Sequence, residues 1–501
     1  MPGLPAVRIA GGGAPMRVDV SWRVTAGGRG LAVTAEGAPL AEFAFGLPAG
    51  ERVTSFFDEA DGLLRQADGA LEACLRHFPN DDGWSSVLSL DNRDDAEQPL
   101  PPLGVAVTLA PGASGWAWTS DTDGFWVIAP ASGPCLLMVM RRGFLRAGRR
   151  APLYAAVDRR GDGLPTGVAA FHLADPAGAI RGYGRQQTTL EFSVIADLED
   201  ARGVLPGWMP DPVLTSRDEP FFVLELPDQA IVPGPGLSLS TDDTTSYLTG
   251  HPGHHEVAIH GVRGVQRLQV SVVPDLELFL ADLSTALTST RPSAMPSATG
   301  ALIACALSRR STHDPDAILD WLEREDWLAR GDVFGPAIAA IVAGETHDDA
   351  LLGAACEAVE SMPSQRGLGI VATRCWLATL RAGYPPLDLT GVFARTDPAD
   401  PVAGLEAAVL SNADASAWQP VAQRLIRMLG GSLPGGPIGL PEADAGYAAS
   451  VLRFVPEPWS CREAATVAAE KTLRLLLADH AARLHPAHDG LAWLLLSEIG
   501  A

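Results

Sequence analysis

The 501-residue sequence predicts two kinds of structure in succession: a β-sandwich-like N-terminal half, then an all-α C-terminal half forming a bundle or a short solenoid. Three observations carry that expectation. Short apolar runs with period-two alternation fill the stretch up to residue 275. Gly, Pro, Asp and Ser punctuate those runs, which suits packed antiparallel sheets better than βαβ units. Beyond residue 276 the apolar spacing turns helical, with Asp-Pro starts and Gly stops.

The first domain, residues 1–204, opens with Met16–Thr25, whose apolar residues fall at 16, 18, 20, 22 and 24. Strict alternation of this kind marks a half-buried strand. Val105–Leu109, Trp116–Trp118, Phe125–Ile128, Cys135–Met140 and Leu190–Val194 read the same way. One segment breaks the pattern. Leu64, Leu71, Cys74 and Leu75 have helical spacing, so a helix is predicted over 58–77, against the advice of Gly62 and Gly69.

A second β unit is predicted over 205–275. It contains His251-Pro-Gly-His-His-Glu-Val-Ala-Ile-His-Gly261, with four of the chain's eleven histidines. Strand geometry separates them: His254 and His260 lie about 20 Å apart in an extended chain and cannot share one metal. His255, Val257 and Ile259 then face a core. The segment Pro252-Gly-His-His-Glu-Val257 resembles the Pro-Gly-x-Tyr-x-Val entry to the penultimate strand of immunoglobulin-like sandwiches, with His255 in the tyrosine place. The resemblance covers about seventy residues and implies an immunoglobulin-like fold for this unit, without implying a function.

Residues 276–300 read as one amphipathic helix followed by a Ser/Thr/Pro linker, and 301–501 as the helical domain. Asp314-Pro315 and Asp400-Pro401 are helix starts, and Gly430-Gly431 is a stop.

Composition narrows the chemistry. Net charge is -23, which disfavours nucleic acid and anionic membrane surfaces. Lys471 is the sole lysine, an arginine-for-lysine bias that fits a GC-rich bacterial genome. No Gly-Lys-Ser/Thr exists, so there is no P-loop. The six cysteines contain no Cys-x-x-Cys. His-Glu-x-x-His, Gly-x-Ser-x-Gly and Gly-x-Gly-x-x-Gly are likewise missing. The first residues lack the charged-then-apolar character of a signal peptide, and no apolar run reaches the length of a membrane span.

Two places could bind something. Arg141, Arg142, Arg146, Arg149 and Arg150, with Arg159 and Arg160 beyond, form one basic island, suited to carboxylate or phosphate. Trp84, Trp116, Trp118 and Trp126 lie near Asp81, Asp82, Asp121 and Asp123, a pairing found where sugars are bound or cut. Buried core is the plainer reading of those tryptophans.

With so little recognisable chemistry, the sequence predicts a non-catalytic protein-interaction or adaptor protein of the cytoplasm. It would have a protein partner, no cofactor and no metal, and a linker open to regulatory cleavage. The alternative is a carbohydrate-binding or glycoside-processing enzyme that uses aspartates beside the tryptophan-rich strands.

Overall fold

The computed structural model describes residues 7–8, 17–18, 20–46, 54–58, 62–80, 83–101, 103–110, 113–130, 133–147, 169–205, 214–216, 221–223, 230–242, 245–261, 264–395, 400–411, 417–433, 436–438, 440–482 and 488–498. The N-terminal half is built of antiparallel sheets and the C-terminal half of helices.

Two large sheets form the sandwich. The six-stranded sheet has the order 146–147, 169–172, 104–109, 38–46, 30–35, 20–25. The nine-stranded sheet runs 436–438, 114–119, 124–129, 135–142, 185–195, 83–92, 71–80, 63–68, 54–58. Leu31, Phe43, Val105 and Val107 from one meet Leu75, Leu90, Trp126, Met138 and Phe192 from the other in a common core. The opposite face of the nine-stranded sheet is buried as well. Trp116, Phe125, Val127, Leu137 and Val139 pack with Leu248, Val257, Ile259, Leu268 and Val270. Burial on both faces explains why Phe125–Ile128 and Cys135–Met140 are continuous apolar runs rather than alternating ones.

The helix expected over 58–77 is three strands instead: Thr54–Asp58, Leu63–Asp68 and Leu71–Asn80. Gly62 and Gly69 both adopt left-handed backbone and make the turns. Ala73, Leu75 and His77 are the buried side of the last strand, so the helical spacing was a coincidence of two strands read as one segment.

His77 illustrates the cost of that inward face. Its Nδ1 lies 2.8 Å from Ser86 Oγ and its Nε2 3.0 Å from the Gly28 carbonyl. The imidazole is held neutral, its pKa lowered from 6.5 to about 4 by burial. A depressed histidine contributes stability that is present above pH 6.5 and lost as pH falls towards 4. Unfolding free energy should drop by up to about 3 kcal/mol across that window. His77→Gln should flatten that part of a denaturant-midpoint profile; an unchanged profile would show that another group is responsible.

The 205–275 stretch carries two smaller sheets. One has strands 214–216, 264–273, 253–261 and 230–233 in that order, the other 221–223, 245–250 and 237–242. Val257 and Ile259 are fully buried, as the alternation requires. The histidines have ordinary partners. His255 bonds the carbonyls of Pro235 and His251, while His254 bonds Ser271 and sits 3.3 Å from Asp479. Among the described residues no group of His, Cys, Asp or Glu is arranged to hold a metal ion.

The helical half has twelve α-helices among the described residues: α1 (276–287), α2 (297–308), α3 (315–323), α4 (334–346), α5 (349–361), α6 (368–381), α7 (389–393), α8 (401–410), α9 (419–428), α10 (442–452), α11 (462–482) and α12 (489–496). Asp314 and Asp400 cap α3 and α8 with their side chains, each followed by proline, as expected. The even-numbered helices touch in the cyclic order α2, α4, α6, α8, α10, α12 and back to α2. The odd-numbered helices α3, α5, α9 and α11 bridge successive members of that ring, α7 packs on α6 and α5, and α1 packs on α2. Sequence hydropathy foreshadows the division. α2, α10 and α12 are buried almost throughout, whereas α3 and α9 are amphipathic. Gly446 of α10 and Gly490 of α12 meet backbone to backbone; a Cβ on Gly446 would lie 2.2 Å from Gly490. The ring decides between the two predicted arrangements: the helices close upon themselves as hairpins and do not run on as a solenoid.

The Ser/Thr/Pro stretch is a short surface connection between α1 and α2. Trp321 Nε1 donates to the Thr290 carbonyl at 2.6 Å, and Arg330 donates to those of Pro292 and Met295. Its carbonyls are thus held by neighbouring side chains, which removes the argument for a loose, cleavable tether.

The two halves interlock. Residues 436–438, between α9 and α10, extend the nine-stranded sheet beside Ser114–Thr119 and cover what would be an open edge. Lys471 of α11 places its ammonium 4.0 Å above the Trp116 ring and donates to the carbonyls of Gly431 and Leu433. Arg202 and Glu199 both bond Ser432. Lys471→Met keeps the aliphatic stem and removes the charge, and should cost about 1–3 kcal/mol in equilibrium unfolding. An unmoved midpoint would mean the ammonium contributes nothing to docking.

Candidate functional site

Asp121 and Asp123 occupy the turn between strands Ser114–Thr119 and Gly124–Ala129. Asp121 is a non-glycine residue with left-handed backbone, φ 69°. It exchanges both backbone hydrogen bonds with Leu145, at 3.2 and 2.8 Å. Its carboxylate, 7% exposed, receives a two-pronged contact from Arg146: Nε to Oδ1 and Nη2 to Oδ2, each 2.7 Å. Arg267, from strand Gly264–Val273, adds its Nε at 3.2 Å from Oδ2 and pairs with Glu256. Gln266 beside it donates to Asp123 at 2.6 Å. One buried carboxylate therefore joins the sandwich to the second β unit.

Arg146 lies directly opposite His172 in an antiparallel pair, which puts the two side chains on one face. Its guanidinium stacks on Phe144 at 4.9 Å, and its Nη1 is 3.8 Å from Asp175, longer than a hydrogen bond. His172 is half-buried; its Nδ1 is closed off from solvent and has no hydrogen-bond partner among the described residues, which leaves Nε2 as the nitrogen a substrate could meet. Burial first, then the neighbouring Arg146 charge, hold its pKa below the usual 6.5, with Asp175 opposing. At neutral pH the imidazole is thus uncharged and able to accept a proton.

The predicted residues divide among these surroundings. Arg146 is the arginine of the island that is built into the cluster. Arg141 pairs with Glu191 at 2.6 Å, and Arg142 ends its strand exposed. Arg149, Arg150, Arg159 and Arg160 lie outside the described residues, as do Asp81 and Asp82. Trp116 and Trp118 are 1% and 6% exposed, and Trp126 is fully buried. They offer no face to a sugar, and Lys471 already covers Trp116. The tryptophan platform is corrected to core, because both faces of this sheet are covered.

A second set of ionisable groups sits where helices of the ring begin. His480 of α11 is 2.9 Å from Glu442 and stacks on His488. Asp489 has its pKa raised by burial and by Glu442 and Asp332 nearby. His480 also borders a cavity of about 360 Å³ between α1, α11, Pro252 and Pro274, walled by Leu278, Phe279 and Leu283. Asp275 and Asp282 are the carboxylates on its wall. The cavity is acidic and apolar, whereas the seam sets Arg146 and Arg267 among Asp121, Asp123, Asp175 and Glu256.

No protein-family model and no curated protein sequence matches the chain. Its fold is similar to that of a solved polysaccharide lyase: the superposition covers 96% of this chain and 99% of that one, with a TM-score of 0.66 and 11% sequence identity. At that identity the likeness is one of fold. It nevertheless overturns the expectation of a non-catalytic adaptor. That expectation rested on a β-then-α layout without recognisable chemistry, and the same layout, end to end, is the layout of an enzyme.

Proposed function

We propose that the chain is a carbohydrate-processing enzyme that cuts an acidic saccharide by β-elimination, with the Arg146–His172 seam as its reaction centre. The observation that carries the reading is the end-to-end likeness to a polysaccharide lyase. Among the described arginines of the basic island, Arg146 stands directly opposite a histidine, and this pairing selects the site. An eliminating substrate carries a carboxylate on the carbon that loses its proton, and Arg141, Arg142 and Arg146 belong to the basic island of an otherwise acidic chain.

In this reaction a neutral base takes the proton from the carbon bearing the carboxylate. Its electron pair forms a C=C bond to the adjacent carbon, and the glycosidic C–O bond on that carbon breaks. The departing oxygen takes a proton, and no water is consumed. A lowered pKa suits His172 to the part of the neutral base, and Arg146 Nη1, without a hydrogen bond among the described residues, would meet the charge developing on the carboxylate. Six cysteines, all outside disulfides, support a reducing compartment. In the cytoplasm the substrate would be an imported oligosaccharide.

The test is incubation with uronate-containing and neutral oligosaccharides while following ultraviolet absorbance of the unsaturated product. A rise with uronates alone is the expected result. New reducing ends without absorbance would mean hydrolysis, and no cleavage of any saccharide would end the proposal.

A further inference from the structure

We infer that Asp121 is the positioning residue of this site: by gripping Arg146 it fixes the guanidinium against His172 and leaves one edge of it for a substrate carboxylate. The inference rests on the reading of the seam as the reaction centre.

The geometry is unusual in three independent ways. Asp121 holds a left-handed backbone that a non-glycine residue adopts only at a cost. Its carboxylate is almost fully buried, which is expensive for a charge unless its partners are well placed. The partners come from two other strands: Arg146 spans both oxygens of the carboxylate, and Arg267 adds its Nε beside Oδ2. A turn whose only task was to reverse the hairpin would need none of this; Asn or Gly would serve. What the arrangement achieves is a guanidinium held on two sides: Nε and Nη2 are engaged, Phe144 covers one face, and among the described residues Nη1 makes no hydrogen bond. Arg146 is therefore held opposite His172.

The charged groups acting on His172 are Arg146, on the paired strand, and Asp175, just beyond its own. Strand Gly104–Leu109, on its other side, brings no ionisable residue. Asp121, Arg267 and Glu256 lie behind Arg146. Releasing Arg146 thus frees His172 from a nearby positive charge, and its pKa should rise towards 6.5.

The experiment is an NMR titration of His172 in the full chain, wild type against Asp121→Asn. Asparagine tolerates the left-handed backbone, keeps the size and drops the charge. The expected result is an upward shift of the His172 midpoint, together with a matching shift of the acid limb of the elimination rate. If Asp121 only braces the fold, melting temperature falls and the His172 midpoint stays put. A downward shift would mean that Asp121 acts on His172 as a bare charge. Either outcome overturns the inference. Should Asp121→Asn not fold, Arg146→Gln must give the same upward shift. Arg267→Gln is the control, expected to leave the midpoint unmoved, because Arg267 shares the carboxylate without facing the histidine. The titration needs no substrate, so a chain that shows the shift but cuts nothing would refute the proposed reaction and leave the Asp121 grip standing.

Discussion

His172→Asn is expected to lower the elimination rate by roughly 10²–10⁴-fold while leaving substrate affinity nearly intact. Asparagine keeps a polar side chain of similar reach but cannot accept the proton at neutral pH. The wild-type pH profile should carry the same signature. A base works only when unprotonated, so the rate falls as pH falls through the folded pKa of His172, which lies below 6.5. In the variant that acid limb disappears. Measuring kcat and KM separately across pH decides the matter. A variant that loses affinity but keeps kcat would make His172 a binding residue, and an unaffected variant would move the reaction to another part of the molecule.

The second large effect concerns folding. Glu406 of α8 is 3% exposed, and its carboxylate accepts the Gly367 N–H at 3.0 Å, the Ile370 N–H at 2.8 Å and the Tyr447 hydroxyl. It serves as a side-chain cap for the start of α6, delivered from the next inner helix of the ring, with Tyr447 of α10 as the third corner. Glu406→Ala leaves all three donors without their acceptor and opens a cavity, and should cost roughly 3–5 kcal/mol. Glu406→Gln should cost less, since it keeps the volume and one acceptor. The two variants also differ from wild type in pH dependence. Burial raises the Glu406 pKa above its ordinary 4.5. A carboxyl raised in the folded state contributes stability that is fully present below the unfolded pKa and lost as pH rises through the folded one. The advantage of wild type over Glu406→Gln should therefore be largest in acid and shrink upward. Denaturant midpoints at several pH values test this, and a gap that widens with pH would contradict it.

The sequence and the structure agree where local chemistry dominates. Asp-Pro starts at 314 and 400, the alternation of Val257 and Ile259, and the switch near 276 from period two to helical spacing are all readable, because each depends on neighbours within one turn or one strand. Gly62 and Gly69 were legible as turn residues, and they outrank the apolar spacing of Leu64, Leu71 and Leu75 that suggested a helix. The ring was not legible, since closure depends on which helix faces meet and not on any single helix. The site was half legible. Asp121 and Arg146 stood out by type and neighbourhood. His172 did not, because its importance comes from strand register opposite Arg146, and Arg267 and Glu256 arrive from more than a hundred residues away. Trp116 and Trp118 attracted attention for the opposite reason: aromatic residues beside aspartates look alike whether the strand carrying them has one covered face or two.

Lys471 has a consequence beyond stability. A chain with thirty-six arginines and one lysine offers an amine-directed reagent a single side chain, and that amine lies under the joint between the sheets and the ring. Its rate of acylation or reductive methylation would thus be a clock for the opening of the joint. It would run slowly while the halves stay docked and quicken whenever they part, with no label or probe introduced into the molecule.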